Sequence, residues 1–483
     1  MRNFNLDDTI AAISTPIGQA GIGIVRLSGK KSLSIADKIF LGKDGLKPSK
    51  FKTYTTHYGW IIDRNQPAPA KRSGPGKPEY RNQKKDKRQI IDEVILTVMH
   101  SPRSYTKEDI VEINCHSGIV PLKKILDLVL SQGARLAQPG EFTKRAFLNG
   151  RIDLVQAESV LDIIRARTEA SLRIGFNQLK GDLSKKIHDL RSQLLDIIAH
   201  LETLIDFPEE DIESTQSKDL LKSIEQAEKM LNKLLSSFQY GKILREGISV
   251  VICGKPNVGK SSLLNALLGE DRSIVTPIPG TTRDTIEEVI NLEGIPLKIV
   301  DTAGIIEPKD LIEKEAIKRS QMYLSSADLA LLVFDGSQKL NKDDQILINK
   351  TKDKQIIAVI NKIDLKQHID ISKLKNLFKN IVRISALKNK GIGDLRKQIT
   401  KKVWGGDIIS TDEVLVSNVR HEDALRRAAA FLLEAKDIIK SNNSLELVSH
   451  CLRESVNCLG EITGETIGED ILDRIFGEFC IGK

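Results

Sequence analysis

A chain of 483 residues with a net charge of +8 and five scattered cysteines is too long for one ordinary core, and roughly two to four domains are expected. Cys115, Cys253, Cys451, Cys458 and Cys480 form no Cys-x-x-Cys pair, which argues against a disulfide framework or a structural zinc site and for a reducing compartment. The basicity says little about the folded surface, because residues 71–88 hold eight Lys/Arg and two Asp/Glu and so carry +6 of the +8.

The N-terminal "MRNFNLDDTIAAIS" places Asp7 and Asp8 where a targeting segment needs basic or uninterrupted apolar residues. No apolar run approaches membrane-spanning length, so a soluble, cytoplasmic protein without a membrane partner is expected. From Thr9 to about His116, the runs "AAIST", "GIGIVRLS", "TYTTHYGWII", "EVILTVM" and "IVEINCH" alternate with turns and predict an α+β domain over residues 1–120. The basic stretch, about residues 65–89, lies between two strand-like runs and reads as a solvated, disordered hairpin loop rather than a dedicated RNA-binding arm.

Helix follows. Leu183, Ile187, Leu190, Leu194, Ile197, Leu201 and Leu204 recur at spacings of four and three, the apolar seam of one long bundle helix. Pro208 in "FPEEDIES" should break it before a second amphipathic stretch from about Ser217 to Phe238. Then "GISVVICG", "LKIVDTAG", "LALLVFD", "IIAVINKID" and "IVRISA" alternate with helical segments, the pattern of a parallel, doubly wound sheet. Helix returns from His421. The fold class expected is therefore multidomain: an N-terminal α+β domain, a discontinuous helical bundle domain over 121–245 and 406–483, and, because residues 254–261 read Gly-x4-Gly-Lys-Ser and residues 361–364 Asn-Lys-x-Asp, an inserted α/β P-loop GTPase (G) domain over 246–405.

"GKPNVGKSS" (residues 254–262) fits Gly-x4-Gly-Lys-Ser between a strand and a helix, so its backbone N–H groups can turn inward on phosphate oxygens. Lys260 would reach the outer phosphates and Ser261 a Mg²⁺ ion, with Asn257, Val258, Gly259 and Ser262 completing the loop. "DTAG" (Asp301, Thr302, Ala303, Gly304) places a carboxylate near the metal and an N–H near the γ-phosphate. "NKID" supplies Asn361, Lys362 and Asp364, and "SAL" contributes Ser385 and Ala386. Asp364 can accept from both N–H groups of a guanine edge, which favours GTP over ATP. Ile305 follows "DTAG" where small signalling GTPases carry a water-orienting Gln; isoleucine cannot orient water, so hydrolytic help must come from elsewhere. Glu307, Glu313, Glu315 and Thr282 of "PIPGTTRD" are the candidates in the chain, Thr282 also as a Mg²⁺ ligand.

Together with "DTIAAISTPIGQAGIGIVRLSG", "SYTKEDIVEINCHSG", "PGEFTKRAFLNGRIDLVQAE", "LIDFPEEDI", "PGTTRD" and the final "FCIGK", these motifs closely resemble the tRNA-modification GTPase MnmE (TrmE) family over nearly the whole chain. The resemblance implies a homodimer joined through the N-terminal domains, with 5-formyltetrahydrofolate or a related tetrahydrofolate bound at that interface. It also implies a flavoprotein partner, MnmG, with which a carboxymethylaminomethyl or aminomethyl group is added to carbon 5 of the wobble uridine of certain tRNAs. By position, the folate contacts would be Arg26, Glu112, Arg151 and Lys483, groups suited to carboxylates and pterin N–H donors. The resemblance further implies a K⁺ ion in the place of an arginine finger, held by Asn257 with Thr276, Ile278 and Thr281, of which Thr276 and Thr281 also touch GTP. Glu313 would orient the attacking water, and Cys480 would act in tRNA modification without a part in hydrolysis.

A competing reading is a ribosome-assembly or RNA-binding GTPase switch without covalent RNA chemistry. The single phosphate loop and the helical sequence after it, in place of a second G domain or a KH module, argue against that reading.

Overall fold

In a computed structural model of the chain, residues 7–67, 88–206, 214–269, 288–301, 324–404, 414–441 and 443–483 are described. The chain divides into two compact units, Met1–Glu158 with Gly464–Lys483, and Ser159–Thr463.

The first unit is built on a seven-stranded sheet ordered β3-β4-β5-β6-β2-β1-β7. Its strands are β1 (Ile10–Ile13), β2 (Gly23–Ser28), β3 (Phe40–Gly42), β4 (Thr55–Pro67), β5 (Arg88–Met99), β6 (Ile110–Cys115) and β7 (Arg135–Leu136). Side chains alternate across a strand, so Val25 and Leu27 of β2, Val111 and Ile113 of β6, and Leu96 and Val98 of β5 share one buried face. Leu122, Ile125, Leu128 and Val129 of the helix Ile119–Ser131 complete that core. For this reason the unit runs past residue 120, where the sequence placed a boundary. It also takes in Gly464–Lys483, which the sequence assigned to the helical domain. In that segment the helix Glu469–Gly477 buries Leu472 and Phe476, and the residues beyond it return to the sheet side through a bridge between Ile481 and Pro139. β4 and β5 form the expected antiparallel hairpin, pairing from Thr55↔Val98 to Pro67↔Arg88; the basic residues 68–87 between them lie outside the described residues.

The second unit holds a six-stranded sheet ordered β13-β12-β11-β8-β10-β9. β8 (Ile248–Gly254), β10 (Ile295–Asp301), β11 (Leu329–Asp335), β12 (Gln355–Asn361) and β13 (Ile381–Arg383) are the five expected strands, all parallel. β9 (Glu288–Leu292), unforeseen, adds an antiparallel edge on β10. Both faces of the sheet are covered: one by Leu263, Leu267, Leu395 and Ile399, the other by Leu347, Ile348 and Leu374. Burial on both faces explains why these strands read as continuous apolar runs.

Four long helices of the same unit form a bundle: Val419–Lys440 packs on Leu445–Thr463 and Ser214–Ser236, and Leu445–Thr463 on Asp182–Asp206. The buried seam of Asp182–Asp206 runs Leu183, Ile187, Leu190, Leu194, Ile198 and Leu201. Ile198, not Ile197, is its fifth member, because a step of four from Leu194 keeps the stripe on the bundle side. The expected break at Pro208 falls outside the described residues. Among the described residues no helix is long and apolar enough to cross a membrane.

Candidate functional site

The strand β8 delivers the phosphate loop. Gly254 ends the strand, and the helix Lys260–Leu268 begins directly after Gly259, whose φ of +95° only glycine adopts readily. A Cβ there would also stand 2.3 Å from the Asn361 amide nitrogen, so the close approach itself requires glycine. The first turn of that helix leaves N–H groups without intrahelical partners, and Ser261 and Ser262 are exposed on it. Lys260 Nζ donates to the carbonyls of Gly254 and Lys255 at 3.0 and 2.8 Å, folding its ammonium back over the loop.

Asn361 ties the loop to the "SAL" segment. Its Nδ2 donates to Val258 O at 2.9 Å, and its Oδ1 accepts from Ala386 N at 3.0 Å. Ser385 Oγ donates to Asp364 Oδ1 at 2.6 Å, and this hydrogen bond first of all holds the Asp364 carboxyl below the usual carboxylate value. An ionised Asp364 is a pure acceptor, the form that accepts two N–H donors from a guanine edge. The sequence-predicted Asn257, Val258, Gly259, Lys260, Ser261, Ser262, Asn361, Lys362, Asp364, Ser385 and Ala386 all fall at the C-terminal ends of β8 and β12 or in the loop after β13, where an open α/β sheet binds ligands. β10 ends at Asp301, beside Ile252 of β8. Thr276, Ile278, Thr281, Thr282, Thr302, Ala303, Gly304 and Glu313 lie outside the described residues.

Two acidic partners of this loop were not singled out from sequence. Asp344, buried at the start of the helix Lys342–Lys350, accepts from Lys255 Nζ at 2.8 Å. Asp335, the last residue of β11, accepts from Lys362 Nζ at 2.6 Å. A carboxylate closing an apolar strand was the available signal for Asp335.

The first unit gathers the other predicted set. Arg26 on β2 and Glu112 on β6 are register partners on the face opposite the one that the helix Ile119–Ser131 covers, and Arg26 Nε donates to Glu112 Oε1 at 2.8 Å. Arg26 Nη1 reaches Gly482 O at 3.2 Å, and the guanidinium lies 5.7 Å from the centre of the Phe142 ring. Phe142 N donates to Lys483 O at 3.1 Å, which fixes Lys483 beside that pair. Burial lowers the Lys483 pKa from its ordinary value, and the charge of Arg26 lowers it further. Arg151 is exposed, its guanidinium 4.7 Å over the ring of Tyr105. Burial raises the Tyr105 hydroxyl, against weaker opposing effects of its bond to Thr143 and of Arg151 and Arg26. Tyr105 packs against the buried cluster of Ile10, Ala12, Ala137 and Phe142, and so brings Arg151 toward the Phe142 ring that Arg26 also approaches, a link that sequence alone did not reveal. Cys480 is exposed, whereas Cys115, Cys253, Cys451 and Cys458 are buried. Two cations, a carboxylate and aromatic rings in one place form a donor set that fits a flat heterocycle bearing carboxylates.

The family model of the MnmE helical domain matches residues 154–480, and that of the GTP-binding protein TrmE N-terminus matches residues 9–151. The tRNA modification GTPase MnmE of Clostridioides difficile (strain 630) is 47% identical over 480 residues, covering 99% of this chain and 100% of its own. Its namesake from Alkaliphilus metalliredigens (strain QYMF) is 46% identical over 480 residues, with coverage of 99% and 100%. Among solved structures, Aquifex aeolicus Era bound to GDP·AlF4⁻ is 32% identical over 38% of this chain and 67% of its own, at a TM-score of 0.26.

Proposed function

The chain belongs to the MnmE family of tRNA-modification GTPases, and from that premise we propose that it hydrolyses GTP in the modification of the wobble uridine of certain tRNAs. It works with an MnmG-like flavoprotein, and the product carries a carboxymethylaminomethyl or aminomethyl group at carbon 5. The observation that carries this reading is the convergence of Arg26, Glu112, Lys483 and the Arg151–Tyr105 pair on one face of the first unit, in a chain whose phosphate-loop motif is also tied to Asn361. Glu112 would accept from the pterin N–H groups of a tetrahydrofolate, Arg26 and Lys483 beside it would donate to acceptor oxygens at that same end, and the exposed Arg151 would meet the carboxylates. The folate supplies the one-carbon unit when bound. The exposed Cys480, in the same segment as Lys483, is the thiol available to that chemistry.

In the G domain, Lys260 would neutralise the outer phosphates, Ser261 and Thr282 would hold Mg²⁺, and Asp364 would read guanine. Asn257 has a φ of +63° and an exposed side chain, which suits it to hold K⁺ together with Thr276, Ile278 and Thr281. A cation there offsets charge that builds up between the outer phosphates, and Glu313 orients the water that Ile305 cannot. The protein acts as a homodimer joined through its N-terminal units, in the cytoplasm.

The test has two arms run on the purified protein. GTP hydrolysis is measured in KCl and NaCl at matched ionic strength for the wild type and Asn257→Ala. In parallel, tRNA incubated with the protein, an MnmG-like flavoprotein, GTP, a tetrahydrofolate donor and glycine is digested and its nucleosides are analysed. Potassium stimulation that requires Asn257, and a modified uridine that disappears in Cys480→Ser, are expected. Hydrolysis indifferent to the cation, with no modified nucleoside, would overturn the reading in favour of a GTPase switch acting on RNA assemblies.

A further inference from the structure

We infer that Asp335 is a positioning residue for the phosphate loop: through Lys362 it fixes the backbone of Asn257, and so sets how strongly hydrolysis responds to the monovalent cation. This inference rests on the potassium reading given above and adds a residue outside the four nucleotide motifs.

Asp335 closes β11 next to Asn361 of β12, its register partner, and is 5% exposed. Three donors converge on its carboxylate. Ser337 N and Ser337 Oγ donate to Oδ1 at 2.9 and 2.6 Å, and Lys362 Nζ donates to Oδ2 at 2.6 Å. Burial alone would raise this carboxyl, but the hydrogen bonds from Lys362 and Ser337 outweigh it and hold it below the usual value. The carboxylate is thus a fixed anion, aimed at one ammonium.

That ammonium has a second task. Lys362 Nζ also donates to Asn257 O at 2.8 Å. Asn257 and Lys362 have the same φ of +63°, in the left-handed region that side-chain-bearing residues rarely adopt. Such conformations persist only where surrounding contacts over-determine them. For Asn257 the contact on its own carbonyl comes from Lys362, and for the Lys362 ammonium the opposing charge comes from Asp335. The carboxamide of Asn257 can present its oxygen to a cation only from a backbone held in one place. Asp335 therefore acts at one remove, through two hydrogen bonds.

GTP hydrolysis is titrated with KCl, with choline chloride holding ionic strength constant, for the wild type, Asp335→Asn and Ser337→Ala, and folding is checked by circular dichroism and thermal melting. Asp335→Asn keeps the shape but removes the charge that holds Lys362. The potassium concentration for half-maximal rate should rise roughly three- to tenfold, with a saturated rate within about threefold of wild type. Ser337→Ala keeps the carboxylate and loosens it, and should shift the midpoint in the same direction by less. A folded Asp335→Asn with a wild-type midpoint overturns the inference. If Asp335→Asn does not fold, an unshifted Ser337→Ala overturns it instead. A wild type indifferent to potassium overturns the cation reading and this inference together, which separates the two failures.

Discussion

Gly482 offers a test of the proposed folate site that leaves the phosphate loop alone, because it lies in the other compact unit. Its φ is +95°, and a Cβ added there would stand 2.5 Å from Ile13 O and 2.9 Å from Ser14 Cα. Both are backbone atoms at the end of β1 and cannot swing aside. Alanine in a left-handed conformation costs roughly 1–2 kcal/mol. If the segment lifts to escape Ile13, Gly482 O also leaves the Arg26 guanidinium, and a hydrogen bond to a charged group is worth about 1.5–3 kcal/mol. The two effects together come to about 2.5–5 kcal/mol against the docked form, or roughly two to four orders of magnitude in affinity for a ligand that needs Arg26 and Lys483 together. Isothermal titration of Gly482→Ala with 5-formyltetrahydrofolate reads this directly, while GTP hydrolysis should stay at the wild-type rate. A folded variant that binds the folate within threefold of wild type would refute the idea that this segment builds the pocket.

Asp364→Asn exchanges a pure acceptor for a group that also donates, which suits the 2-oxo edge of xanthine. GTP affinity should fall about a hundredfold or more while xanthosine triphosphate binding improves, and competition with a fluorescent nucleotide would show otherwise if GTP still won. Asp344→Ala leaves the Lys255 ammonium buried without its carboxylate and also removes the cap on Asn341 N, so urea unfolding should report a loss of about 3–5 kcal/mol; a loss below about 1 kcal/mol would contradict the assignment. Lys483 carries a lowered pKa in the free protein, and an anionic ligand would raise it by favouring the charged form. Folate binding should therefore be strongest below that lowered value and weaken as pH rises through it, at a pH below lysine's ordinary 10.5, with Lys483→Arg abolishing the dependence; calorimetry across pH in buffers of different ionisation heat would detect the proton uptake.

The parts legible in the sequence were those encoded by neighbours in the chain. Strand-end motifs such as "GKPNVGKS" and "NKID" carry their geometry locally, because a strand, a turn and a helix start are each written in consecutive residues. The β9 edge strand was missed because "EVINL" is a short run with only one paired side, on which β10 supplies the hydrogen bonds. The extent of the first compact unit was not legible because the helix Ile119–Ser131 has an amphipathic pattern that does not say which sheet or bundle its face will cover. Tyr105, Lys255 and Asp344 were passed over since a buried ion pair or a ring under a guanidinium has no sequence period at all.

The same limit explains a device common to both sites. On β6, Glu112 holds Arg26, which donates to the carbonyl of Gly482; on β11, Asp335 holds Lys362, which donates to the carbonyl of Asn257. Each carbonyl belongs to a residue with positive φ, +95° at Gly482 and +63° at Asn257. Neither stretch lies in a regular strand or helix that would hold it by its own ladder, yet each belongs to a site proposed to take an anionic ligand. A carboxylate on a rigid strand solves the problem by orienting a cation, and the cation then pins the irregular segment with a charge-assisted bond. Sequence separations of 86 and 456 residues in one case, and 27 and 105 in the other, join the members of these two chains. Removing the carboxylate should therefore loosen the loop rather than abolish the site. The expected mark of Asp335→Asn is a weakened grip on the cation at a nearly unchanged maximal rate, and a collapse of the maximal rate at unchanged half-saturation would refute the shared device.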